Sequence, residues 1–248
     1  MQAATAAFWG FVGGSSLLIG ALVGLYARAS YRVIAVAMAF GAGVLISSVA
    51  FELMDEAYRM GGFDAASIGL LAGAVAFFAA DAAVTRRGGG DRKRSQGPQA
   101  GASAIAIAVG ALMDGVPESA AIGISLIEGK AVSLVVVIAV FLSNVPEALS
   151  SAAGMKRIGH SKAYVLILWG AVTLASPVAA LLGYLFLAGA PGNLVGAIQA
   201  FAAGAILTML ASTMMPEAYE EGGAVVGVVT SAGFLLTFVL SRLLQPAV

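Results

Sequence analysis

Turn residues and charges cut this chain into a succession of apolar stretches, each about as long as a bilayer's hydrocarbon core is thick. They fall at about 5–28, 33–56, 63–84, 101–127, 131–155, 162–188, 193–215 and 223–244. A spanning helix needs roughly 20 apolar residues, so the expectation is eight membrane crossings. Composition agrees: 60% of the 248 residues are hydrophobic and 10% charged, with mean hydropathy +0.97. A soluble domain carries about 25% charged residues, so a soluble globular fold is excluded.

The formal net charge is zero, which gives no electrostatic support for nucleic-acid binding. With no cysteine, neither a disulfide framework nor a thiolate metal site can form. Residues Met1 to Gly20 lack a basic leader and a second apolar stretch follows soon after, so they read as a first membrane helix rather than a signal peptide. The one polar linker, within 86–100, is rich in Gly, Arg, Lys, Ser and Gln. It cannot bury apolar area and is expected to be a flexible cytoplasmic loop between helices 3 and 4.

Basic residues set the expected orientation. Arg28, Arg32, Arg86, Arg87, Arg92, Lys93, Arg94, Lys156, Arg157 and Lys162 all fall in loops after odd-numbered spans; Arg59, Lys130 and Arg242 fall on the other side. That asymmetry puts both termini outside a cell (inner) membrane, in a multi-pass chain.

An internal repeat is also visible. Residues 39–62 read AFGAGVLISSVAFELMDEAYRMGG and 200–223 read AFAAGAILTMLASTMMPEAYEEGG, with roughly half the positions identical and no gap. The first lies in span 2 and the second in span 7, which run in opposite directions. Spans 4 and 5, also opposed, share Val-Pro-Glu. Inverted repeats of this kind characterise secondary transporters, whose substrate site lies at midplane between the repeats. The expected fold is therefore an all-α polytopic membrane protein, a single transmembrane domain over residues 1–248, with spans 1–3 related to 6–8 and span 4 to span 5.

The chemistry concentrates in Asp114-Gly115-Val116-Pro117-Glu118 and Ser143-Asn144-Val145-Pro146-Glu147. An acid at a spanning helix's centre costs roughly 2.5–3.5 kcal/mol. Positions i and i+4 share a helix face, so Asp114 and Glu118 project together, as do Ser143 and Glu147, with Asn144 beside Glu147. Each proline removes an N–H and frees a carbonyl four residues back, at Met113 and Leu142. Carboxylates near loose carbonyls make an oxygen-rich pocket for a cation, and three acids sharing one pocket need a cation or protons to neutralise them. The plainer alternative is that these acids are buried protonated, or hold the bundle together by hydrogen bonds.

Further acids end the repeat segments: Glu52, Asp55 and Glu56 at one, Glu217, Glu220 and Glu221 at the other. They read either as interfacial solvation or as a cation entrance and exit, with Glu52 and Glu217 the deepest. Asp81, in the last turn of span 3, is a further exit candidate. His160 sits among Lys156, Arg157 and Lys162 and reads as solvated surface; Met209, Met214 and Met215 read as packing. Small residues pervade the helices and permit close approach in lipid, which leaves a homodimer open.

On these motifs the chain resembles the ZIP (Zrt-, Irt-like protein) family of divalent metal transporters, as a divergent bacterial-type member. The resemblance covers nearly the whole chain: eight spans, outside termini, a basic loop between spans 3 and 4, and two Pro-Glu helices. The family's fourth helix usually carries His-Asn-x-Pro-Glu-Gly, and bacterial members often carry Gln-Asp-x-Pro-Glu-Gly in the fifth. Glu118 and Glu147 match those glutamates, so the resemblance implies a ligand role for both. Asp114 stands at the histidine ligand's position, and Ser143 and Asn144 where Gln or His, and Asp or Glu, are usual. Ser176-Pro177 replaces the Glu-Pro of many sixth helices, which implies one metal rather than two.

The function expected is transport of a divalent metal cation, zinc or another transition metal, towards the cytoplasm by alternating access through helices 4 and 5. The ion is cargo; no tightly bound cofactor is expected. An all-oxygen donor set suits Mn, Fe or Mg better than Zn, with Co also to be compared. The alternative is a non-transporting membrane protein of the same fold with a structural or sensing metal site. An enzyme is not expected: no His-Glu-x-x-His, Ser-His or Ser-Lys arrangement accompanies the acids. The expected partners are the metal ion and the lipid bilayer.

Overall fold

A computed structural model describes residues 1–27, 29–89, 104–127 and 131–244, excluding the side chains of 89 and 104–107. Every regular element among the described residues is helical. In chain order they are α1 (Gln2–Tyr26), α2 (Tyr31–Ser48), α3 (Met54–Val84), α4 (Ala104–Ile124), α5 (Leu134–Arg157), α6 (Lys162–Leu187), α7 (Gly192–Met209), α8 (Met215–Gly222) and α9 (Val225–Leu244). Three starts are fixed by serine caps. Ser30, Ser133 and Ser161 accept from the backbone N–H of Val33, Val136 and Tyr164 at 3.3, 3.3 and 3.2 Å, satisfying donors the helix itself leaves open.

Among the described residues, six helical stretches, counting the run from Tyr31 to Gly88 as one, are long and apolar enough to cross a membrane. Large apolar side chains cover their outer faces, among them Phe63, Leu71, Phe78, Ile167, Phe186, Val228 and Leu243. Exposed apolar surface on this scale suits lipid and not water. Inside, Met38, Leu45, Val136, Val140, Ile206, Met209 and Met214 form the main core. A second core gathers Leu17, Leu25, Met155, Val165 and Trp169.

The two copies of the sequence repeat share local structure. α2 passes through a π-helical turn, Val49–Leu53, into α3, and α7 passes through Leu210–Met214 into α8. These turns occupy corresponding positions of the two copies. Each copy ends on a glycine with positive φ, Gly62 at 71° and Gly223 at 64°, with ψ of −173° and −151°. That region is essentially closed to other residues, so the helix axis breaks there.

Packing is reciprocal as well. α3 lies along α7 and α2 along α9; α1 lies against α5 and α6, and α4 against α6. The close approaches need glycine. A Cβ on Gly73 of α3 would come 1.9 Å from the Phe201 carbonyl oxygen, and one on Gly233 of α9 would come 2.2 Å from that of Phe40. Likewise Gly204 faces the Leu70 carbonyl at 2.0 Å and Gly43 that of Thr230 at 1.9 Å. Phe40 and Phe201, like Gly43 and Gly204, are corresponding residues of the repeat.

Helix ends differ from the sequence expectation in two places. The second stretch, expected to stop near 56, continues in helix until the break at Gly62, and the seventh runs through the π turn to Gly222. Acidic residues there look like the end of a span, yet they sustain helix, and Asp55 pairs with Arg59 at 2.9 Å one turn on. Of the expected loop at 86–100, only 86–89 are described, as part of a π turn over Thr85–Gly89; the rest lies outside the described residues.

Candidate functional site

α4 and α5 each carry proline inside the helix, Pro117 and Pro146. Around them Asp114, Glu118, Ser143, Asn144 and Glu147 are all 3% exposed or less. Helical register accounts for this: on each helix the i, i+4 pair faces inward together, while Val116, on the opposite side of α4, is exposed. Such burial withdraws the carboxyl groups from water, so donors, protons or a cation must take its place.

The polar face of α5 is longer than the motif. Ser150 and Ser151 are buried with the others and continue the stripe at i+3 and i+4 from Glu147. That spacing was the available signal for them. The Ser143 hydroxyl is turned back to the Val140 carbonyl at 3.0 Å, and the Asn144 amide donates to the Gly13 carbonyl of α1 at 3.4 Å. Beside it, Thr173 of α6 donates to the Gly14 carbonyl at 3.2 Å. α1 is pressed on α5 next to the proline: a Cβ on Gly20 would stand 2.2 Å from the Val145 carbonyl oxygen.

α4 rests mainly on α6 and α7, α5 mainly on α1 and α2, and the two meet only lightly. Among the described residues, no group of three or more His, Cys, Asp and Glu side chains that could hold a metal ion is found. The donors of the motif residues are all carboxyl, hydroxyl and amide groups, a hard set without imidazole or thiolate.

The acids at the repeat ends diverge. Glu217 is buried, and the Ser150 hydroxyl donates to its Oε1 at 2.7 Å, joining α8 to the polar face of α5. Glu52, expected to be equally deep, is half-buried. It accepts from Ser133 at 2.8 Å and from Ser241 of α9 at 2.6 Å. Ser133 therefore caps α5 and anchors Glu52 at once. Glu52, Asp55, Glu56 and the buried Gln199 line a cavity of about 130 Å³. Ser241 and Gln199 carried no sequence signal, because a lone hydroxyl or amide on an apolar helix has no marker for a partner elsewhere in the chain; Ser133 stands where a helix cap would, but nothing marks its bond to Glu52. Asp81 sits half-buried near the end of α3. His160 stacks on Tyr164 at 4.8 Å, and Met209 and Met214 pack in the core.

Compared with models of known protein families and with curated proteins, the chain matches none.

Proposed function

We propose that this chain is a divalent-cation transporter, carrying metal towards the cytoplasm by alternating access, with its cargo held between α4 and α5. The observation that carries this reading is the pair of proline-interrupted helices whose oxygen donors Asp114, Glu118, Ser143, Asn144 and Glu147 are buried. Buried carboxyl groups in an apolar bundle are costly and read by default as functional. The resemblance to ZIP transporters in the Pro-Glu motifs supports the same class.

Eight spans follow if Tyr31–Gly88 counts as two, parted at Gly62, and α4 counts as one. The matched π turns and reciprocal close packing support an inverted repeat in which α1, α2 and α3 correspond to α6, α7 with α8, and α9, and α4 corresponds to α5. In this reading a cation or protons neutralise the acids that α4 and α5 bury. Movement of one repeat against the other then exposes the ion to each side in turn. The hard donor set favours Mn²⁺, Fe²⁺ or Mg²⁺ over Zn²⁺.

Uptake of Zn²⁺, Mn²⁺, Fe²⁺, Co²⁺ and Mg²⁺ into proteoliposomes tests the reading. Saturable flux by the wild type, lost in Asp114→Asn/Glu118→Gln with helicity unchanged, is the expected result. Full flux in that variant would move the site elsewhere. Gly115, Asn144 and Ser176 supply less charge than the family pattern, which favours a second reading: a structural or sensing metal site without transport. Metal binding with no flux of any ion would select it.

A further inference from the structure

α5 is tied at two places to carboxyl groups carried by other parts of the bundle. Ser133, which caps it, donates to Glu52 at 2.8 Å, and Ser150 donates to Glu217 at 2.7 Å. The two serines stand about 25 Å apart along the helix at the α-helical rise. We propose that these ties are latches, each closing its own end of the bundle over the buried face of α5, and that one opens without the other. This rests on how the helices are joined; it does not depend on what the chain transports.

Each latch crosses a thin contact. α8 rests mainly on α2, whereas the longest contact of α5 is with α1. Among the described residues, neither α8 nor the π turn carrying Glu52 lies along α5; the hydrogen bonds span that gap. At the first latch Glu52 also accepts from Ser241 of α9 at 2.6 Å. There the Ser133 backbone N–H donates to Ser125 Oγ, just past the end of α4, at 3.1 Å. One point thus gathers α4, α5, α9 and the turn after α2, while the other joins only α5 and α8.

Both carboxyl groups are placed by a π turn. Glu52 lies within Val49–Leu53, and Glu217 lies in the first turn of α8, directly after Leu210–Met214. Single π turns inside α-helices are frequent at functional sites. They hold one residue more than the α turn they replace. Drawing that residue back into α-helix turns the chain by about 100° about the axis, which swings a carboxyl group off its serine while the helix stays continuous. Such a change is local, so one end can open while the rest of the bundle stays packed. Ser150 and both carboxyl groups make further interactions, so each latch is best broken at its glutamate.

The chain contains no cysteine, which lets single introduced cysteines report access to water. Ser151, beside Ser150, and Thr237, one turn before Ser241, are both 2% exposed or less. Neither hydroxyl has a hydrogen-bond partner among the described residues, so Ser151→Cys and Thr237→Cys remove no bond. Ala139→Cys, at a fully buried core position, reports unfolding of the whole. The full chain in detergent is treated with a charged, water-soluble thiosulfonate, and modification is followed by mass spectrometry. Glu217→Ala should speed modification of Ser151→Cys several-fold and leave Thr237→Cys unchanged; Glu52→Ala should do the reverse. Ala139→Cys should stay unreactive in both. If either alanine variant fails to fold, Ser150→Ala and Ser241→Ala break the same latches from the serine side. All three cysteines rising together would overturn the proposal, since the glutamates would then be general props of the fold. So would unchanged rates at both reporters, rates already fast in the wild type, or a rise at Thr237→Cys on loss of Glu217.

Discussion

Replacing Gly73 by alanine tests the helix packing directly. The new Cβ would stand 1.9 Å from the Phe201 carbonyl oxygen and 2.9 Å from the Phe201 Cα. Ordinary contact begins at 3.4 Å, so α3 and α7 must separate by about 1.5 Å or bend. The obstacle is main chain, which no rotamer change can move aside. Forcing extra volume into a packed interface costs about 1–3 kcal/mol. The upper end applies here, because close packing rather than hydrophobic contrast holds helices together in lipid. Gly233→Ala, 2.2 Å from the Phe40 carbonyl oxygen, should cost a similar amount at the reciprocal contact. Gly170 of α6 has no neighbour within 4 Å of its would-be Cβ, so Gly170→Ala should be neutral or gain up to about 1 kcal/mol of helix propensity. Unfolding in mixed micelles, followed by circular dichroism, orders the three variants. Gly73→Ala as stable as Gly170→Ala would refute the close approach of α3 and α7.

Ser150→Ala removes a buried donor from the Glu217 carboxyl group and should cost about 1–3 kcal/mol, read by thermal unfolding; a cost that persists unchanged in a Glu217→Ala background would separate the two residues. Gly62→Ala and Gly223→Ala should each lose about 1–3 kcal/mol through backbone strain. If unfolding shows both tolerated, the breaks at the ends of the two repeat copies are not imposed by glycine. In competition uptake, Mn²⁺ or Fe²⁺ should rival Zn²⁺; zinc preferred by orders of magnitude would sink the argument from hard donors. Glu147→Gln should abolish saturable flux as the α4 variants do, and full flux in it would confine the site to α4.

Different parts of the molecule were legible to different degrees, for physical reasons. Burial of Asp114, Glu118 and Glu147 could be read from sequence, because a carboxyl group inside a long apolar stretch has few places to go except the bundle interior. The packing of the helices that carry them could not: α4 leans on α6 and α5 on α1, a choice set by small residues such as Gly20 and Gly24 on α1 that only reveal their partners in three dimensions. The Ser241–Glu52 and Ser150–Glu217 hydrogen bonds were equally hidden, since a serine costs a membrane helix little and so leaves no pattern.

The repeat shows the same division within one feature. Glu56 and Glu217 occupy corresponding places in Glu-Ala-Tyr, each following a π turn and preceding a glycine break. Local sequence and local structure agree in the two copies. Yet Glu56 lines the open cavity beside Glu52, while Glu217 is buried and held by Ser150. The difference comes from what each copy packs against: α8 meets α2 and reaches Ser150 on α5, whereas the start of α3 borders Gln199 of α7 across the cavity.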